Sequence, residues 1–100
     1  MIFDVHEVSG IGGFETREQG GSFIYSVTGG GKAFLIVNLN TIEVRTDDRL
    51  KKVLCEKFES VMESRYFGRA GIEIVMSGQL PDDDIKDLVR LSYNMTVKQG

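Results

Sequence analysis

The chain is short of the residues that staple, coordinate or anchor a protein. It has one cysteine, Cys55, in 100 residues, so neither an internal disulfide nor a zinc site of paired cysteines can form. A reducing, cytoplasmic location is the natural reading. His6 is its one histidine, and no Ser, Cys or Asp stands in a recognisable nucleophile setting, so acid–base or triad catalysis has no advertised partners. The expectation is a protein that is not an enzyme and carries no cofactor and no metal. No apolar run approaches the roughly 18 residues of a membrane span. The first residues carry Asp4 and Glu7 where a signal peptide needs a basic and then an apolar run, so a soluble chain without a membrane partner is expected.

Positive charge is not in excess either. The formal net charge is −3 and the pI about 5.1, which excludes a generic electrostatic nucleic-acid binder, because neutralisation of phosphates by Lys and Arg supplies most non-specific affinity. The imbalance lies in residues 1–50, with four basic and seven acidic side chains; residues 51–100 hold eight of each. Any nucleic-acid contact must come from a local patch.

The composition is otherwise that of a globular domain: 41% hydrophobic, 27% charged and a single proline. One domain over residues 1–100 is expected, able to bury roughly two-thirds of its unfolded surface. Residues 22–28 alternate with period two, with Phe23, Tyr25 and Val27 on one face. Gly29, Gly30 and Gly31 break this strand, and residues 32–38 and 41–46 supply two more, giving an antiparallel meander. Beyond Arg45 the period changes: Leu50, Val53, Leu54, Phe58, Val61 and Met62 recur at three and four, predicting a helix over 47–63 that covers the sheet. A loop over 64–71, a strand over 72–76 and a helix opening at Pro81 follow, with Ile85, Leu88, Val89 and Ser92 facing inward. The reading is a two-layer α+β sandwich: a three-strand meander plus one or two later strands, covered by two helices. Residues 1–21 form a poorly defined lead, with an added strand as one option.

Gly30-Gly31-Lys32-Ala33-Phe34, the acidic pair Asp47-Asp48, Gly78-Gln79-Leu80-Pro81-Asp82-Asp83 and Ser92-Tyr93 occur in this order between about Gly10 and Lys98. In that order they resemble the MmcQ/YjbR family, which implies a secretion-chaperone-like, double-wing α+β fold with a DNA-binding role described for it. Two features depart from the family pattern. Gly10, Gly12 and Gly13 disfavour the opening helix, and Ala70-Gly71 stands where the family often has His-Trp.

Other candidate sites have plain explanations. Gly29-Gly30-Gly31-Lys32 lacks the earlier glycine and the following Ser or Thr of a phosphate loop, and Gly10-Ile11-Gly12-Gly13 lacks the third glycine of a dinucleotide fingerprint. Asp82, Asp83 and Asp84 point in different directions on a helix and read as its first turn rather than a cation site. Cys55, flanked by an apolar stripe, reads as a packed thiol. The segment that resists this treatment is Arg65-Tyr66-Phe67-Gly68-Arg69, where cations and aromatics interleave as phosphate contact and base stacking require. A nucleic-acid site of Lys32, Arg45, Arg49, Arg65, Tyr66 and Arg69, with Lys52 extending it, is one expectation, with DNA or RNA as the partner. The other is a protein-interaction module that pairs with another chain or with itself through its sheet face or an edge strand at residues 23–27.

Overall fold

The computed structural model describes residues 3–99. A single 3-10 turn, Val5–Glu7, leads into strand β1 (Phe14–Gln19), followed by β2 (Ser22–Val27), β3 (Ala33–Val37) and β4 (Thr41–Arg45). Helix α1 (Asp48–Lys57), strands β5 (Val61–Ser64) and β6 (Gly68–Val75) and helix α2 (Asp82–Gln99) complete the chain. The six strands form one antiparallel sheet in the order β1-β2-β3-β4-β6-β5. The two-layer α+β architecture read from the sequence is therefore the architecture of the protein, and the lead contributes the added strand, β1.

Both helices lie on one face. α2 packs on β2, β3 and β4, and α1 on β5 and β6. Between the layers lies the core of Tyr25, Phe34, Leu35, Ile42, Val44, Ile72, Ile74, Leu88 and Val89, to which the lead adds Phe3, Val5 and Val8. The inward stripe expected for α2 is present: Ile85, Leu88, Val89 and Ser92 are all buried. Lys86 and Arg90 are only half-exposed, and Arg90 reaches back to donate to the Ser9 carbonyl.

Ser92 does more than pack. The β3–β4 ladder ends at the pair Leu35↔Val44, and at the next position the Ser92 hydroxyl stands between the strands. It accepts from the Arg45 N–H at 2.9 Å and donates to the Phe34 carbonyl at 2.6 Å. A bulge between Tyr25 and Ser26 leaves Phe34 opposite no β2 residue. Its ring turns to the helix side, edge-on to Tyr93 at 5.0 Å. Ser92-Tyr93 thus ties α2 to the point where the ladder is interrupted.

The sequence reading overran in two places. α1 stops at Lys57 because Phe58 is extended (φ −124°, ψ 125°), and Val61 and Met62 pair with Ile74 and Glu73 of β6 instead of continuing the helix. Their three- and four-residue spacing is a coincidence of phase, overridden by a ladder that a β-branched valine suits. Val53, placed on the inward stripe, is exposed, while Leu50, Leu54, Cys55 and Phe58 pack against the core. The expected loop over 64–71 is a hairpin instead: β6 begins at Gly68, ahead of the predicted start at Ile72.

A further correction concerns the edge. Residues 23–27 are not an edge strand, because β1 pairs along the whole of β2. The free edges of the sheet belong to β1 and β5.

Candidate functional site

Among the described residues the face of the sheet opposite the helices carries no second layer, yet much of it is buried. Cross-strand pairing puts Arg17, Ile24, Ile36, Glu43, Glu73 and Met62 in one row across this outer face. Ile24, Ile36 and Ala33 form a small second core, capped by Phe67. Glu43 and Glu73, neighbours on adjacent strands, are each only 3% exposed. Two carboxylates buried side by side require donors from every direction.

The cover is the β5–β6 hairpin tip. Its three residues, Arg65, Tyr66 and Phe67, are followed by Gly68 at φ +61°, the left-handed position that closes a three-residue hairpin loop and that glycine occupies without strain. An irregularity between Glu63 and Ser64 brings Ser64 opposite Gly68, so the tip curls over the outer face rather than extending the edge. Phe67 fits there because of Gly71: a Cβ at that position would lie 2.4 Å from the Val44 carbonyl oxygen and 2.8 Å from the Phe67 Cβ. Ala70-Gly71 thus leaves the space that the Phe67 ring uses.

The carboxylates hold the tip down. Glu43 Oε1 accepts from the Ser64 hydroxyl at 2.7 Å and from the Tyr66 N–H at 2.8 Å, and its Oε2 accepts from Asn38 Nδ2 at 2.8 Å. Glu73 takes both arms of the Arg65 guanidinium, at 2.9 and 2.7 Å, and the Thr41 hydroxyl at 2.7 Å. Burial by itself pushes the Glu73 carboxyl up, but the hydrogen bonds from Arg65 and Thr41 and the charge of Arg65 outweigh it and hold Glu73 below its ordinary value. The same bonds to Glu73 raise Arg65. Asn38 also donates to the Thr41 hydroxyl, and its Oδ1 accepts from Ser22 at 2.5 Å.

Beside this network lies an open groove of about 300 Å³, lined by Gln19, Ser22, Ile24, Ile36, Asn38, Glu43, Arg65 and Tyr66. Its floor is apolar, one side is the Ser22–Asn38–Glu43 chain, and the other is the hairpin tip. Tyr66 is 47% exposed, set edge-on to Phe67 at 5.1 Å. The Arg65 side chain is 74% exposed although its hydrogen-bonding edge is taken by Glu73.

The residues expected to contact nucleic acid are only partly brought together. Arg65 and Tyr66 share the groove. Arg45 is on the same face but points inward: its Nε donates to the Ala33 carbonyl at 2.8 Å and its guanidinium lies 4.7 Å from the centre of the Phe67 ring. Burial lowers its pKa, against a smaller raising effect of Tyr66. Lys32 is exposed in the turn before β3, and Arg69 is exposed at the start of β6 with its carbonyl accepting from Lys51 Nζ. Arg49 and Lys52 are exposed on α1, in the other layer. Gln19, Ser22, Asn38, Glu43 and Glu73 were missed by sequence reasoning. The polar positions of Thr41-Ile42-Glu43-Val44-Arg45 and Ile72-Glu73-Ile74 carried a signal, but only register makes neighbours of residues 43 and 73. Among the described residues no group of three or more His, Cys, Asp or Glu is placed to hold a metal ion, and no helix is long and apolar enough to cross a membrane.

Comparison with known protein families matches none of them, and no curated protein matches the chain. Among solved structures, the fold is similar to that of Deinococcus radiodurans protein DR2400, a DUF419 domain, with a TM-score of 0.81 over 96% of this chain and 75% of that one. The two sequences are 12% identical, so the likeness is one of fold.

Proposed function

We propose that the chain is a distant member of the MmcQ/YjbR-like family, of which DUF419 is the domain, and that it is a binding domain rather than a catalyst, contacting a protein partner through the outer-face groove. The order of the four motifs together with the shared fold supports the first part. For the second, the supporting observation is the hairpin tip itself: an exposed Tyr66 borders a concave, apolar-floored groove and is fixed by its backbone N–H on buried Glu43. A tyrosine held in this way offers a large contact area at little cost in ordering. Protein contact is favoured over nucleic acid because the two cations at the hairpin-tip side of the groove are already committed, Arg65 to Glu73 and Arg45 to the Ala33 carbonyl and Phe67, which leaves exposed Arg17, beside Ile24, as the remaining cation of the row. What is left at the groove is a carboxylate network, which repels phosphate.

A nucleic-acid reading keeps one observation in its favour. Tyr66 can stack on a base, and the outward side of Arg65 is open to solvent. Site-specific photo-crosslinking in the native cell separates the readings. With p-benzoylphenylalanine replacing Tyr66, a discrete protein adduct is expected; with the same residue replacing Val53 on α1, none. Nucleic-acid adducts at position 66, or protein adducts at 53 alone, would overturn the protein-interaction reading.

A further inference from the structure

The charge balance under the hairpin tip is uneven. Glu43 and Glu73 are both buried and hydrogen-bonded as acceptors, and among the described residues one guanidinium bonds to the pair. That guanidinium, Arg65, is bidentate on Glu73. Glu43 is held by three neutral donors, the Ser64 hydroxyl, the Tyr66 N–H and Asn38 Nδ2. Neutral donors satisfy lone pairs without cancelling charge, and two carboxyl groups share the single guanidinium bonded to the pair. A carboxylate offers about four acceptor positions, and three of those on Glu43 are filled within the fold.

The surroundings of that charge have a particular form. Ile24 and Ile36 make the floor of the groove, Tyr66 one wall, and Ser22, Asn38 and Gln19 a neutral polar rim. An apolar floor ending at a carboxylate with no cation hydrogen-bonded to it, beside an aromatic ring, matches a cation at the end of an aliphatic stem. The methylenes lie on the isoleucines, the charge faces Glu43, and the ring supplies a cation–π contact. Arg65 does not compete for this position, because its bonds to Glu73 hold it on the next strand's carboxylate. Phosphate and carboxylate ligands are disfavoured by the same charge.

We infer that the groove is a receptor for one basic side chain, a lysine or arginine presented by the partner protein. This rests on the protein-interaction reading above and specifies what the partner must bring. Mass action on a single side chain is weak, so the test uses simple probes at high concentration. Nα-acetyl-arginine amide is titrated into the 15N, methyl-labelled protein against Nα-acetyl-citrulline amide, which has the same stem and no charge. AMP serves as the phosphate-bearing probe. The arginine probe should shift the signals of Ile24, Ile36, Asn38 and Tyr66 saturably, give cross-relaxation from its methylenes to the two isoleucine methyls, and bind at least about tenfold more tightly than citrulline. A tenfold ratio corresponds to about 1.4 kcal/mol.

Equal shifts with arginine and citrulline would overturn the charge selectivity while leaving the groove as the contact surface. Shifts elsewhere on the protein, or in the groove with AMP alone, would overturn both this inference and the reading it rests on. Glu43→Gln should reduce the preference for arginine over citrulline to near unity. Because that change also touches the donors holding the tip, Tyr66→Ala, which removes only an exposed wall, is the second variant. It should weaken the arginine probe several-fold with the Ile24 and Ile36 contacts still detectable, and unchanged affinity in Tyr66→Ala would remove the ring from the site and contradict the inference.

Discussion

Replacing Ser92 with alanine removes one oxygen and leaves two backbone groups stranded. The side chain is fully buried, accepts from the Arg45 N–H and donates to the Phe34 carbonyl, and occupies the place where the β3–β4 ladder would otherwise continue. Alanine fills nearly the same volume, so a cavity contributes little. The cost is that of desolvating an N–H and a carbonyl with no partner, about 1–3 kcal/mol each, or roughly 2–6 kcal/mol together if the strands do not close the gap. For a domain whose total stability is of the order of 5–15 kcal/mol, that is a large fraction. Urea unfolding followed by circular dichroism reads it directly, with the midpoint falling at an unchanged slope. Thr96→Val is the control. Thr96 is as deeply buried, but its hydroxyl donates to the Ser92 carbonyl one helical turn back, so its loss orphans no ladder group. It should cost less than about 1 kcal/mol. Ser92→Ala and Thr96→Val within about 0.5 kcal/mol of each other would refute the view that Ser92 substitutes for a strand partner.

Gly71→Ala puts a methyl 2.4 Å from the Val44 carbonyl oxygen and 2.8 Å from the Phe67 Cβ. It should cost roughly 1–3 kcal/mol in a urea titration and displace the Phe67 ring from Arg45, visible as altered ring-current shifts. Acid stability should depend on Glu73. Its pKa is below the ordinary value of 4.5, so its contribution is complete above that value and disappears as the pH falls through the lower native one. Glu73→Gln should therefore flatten the loss of stability on acidification below about pH 4, and an unchanged acid slope would show that the carboxylate is no better held in the folded chain than in the unfolded one.

The parts of this fold that could be read from the sequence are those determined by local period. The β2–β4 meander was legible from the alternation of residues 22–28, the glycine break and the continuously apolar run of β3, and the α2 stripe of Ile85, Leu88, Val89 and Ser92 is buried as its spacing requires. The parts that failed depend on partners distant in sequence. Val61 and Met62 are in phase with α1 but belong to β5, where they pair with β6. β1 is almost wholly exposed and polar, Phe14-Glu15-Thr16-Arg17-Glu18-Gln19, so nothing in its composition announces a strand, and its pairing with β2 is what moves the sheet edge away from residues 23–27. The tip residues Arg65 to Arg69 stood out by composition, and the groove does lie beside them. What composition could not indicate is that Arg65 faces a carboxylate rather than solvent alone, because Glu73 is eight residues away along a hairpin whose register is irregular.

The central claim is that the outer face beneath the hairpin tip is the binding surface and that it selects positive charge. Parallel titrations at low and moderate salt test it most directly, one with a lysine-containing peptide and one with mixed single- and double-stranded oligonucleotides, following backbone amides residue by residue. The account predicts salt-sensitive shifts at Ile24, Ile36, Asn38 and Tyr66 with the peptide and none with the oligonucleotides. Shifts centred on Arg65 to Arg69 with the oligonucleotides, and abolished in the double variant Arg65→Glu, Arg69→Glu, would contradict it and return the site to nucleic acid.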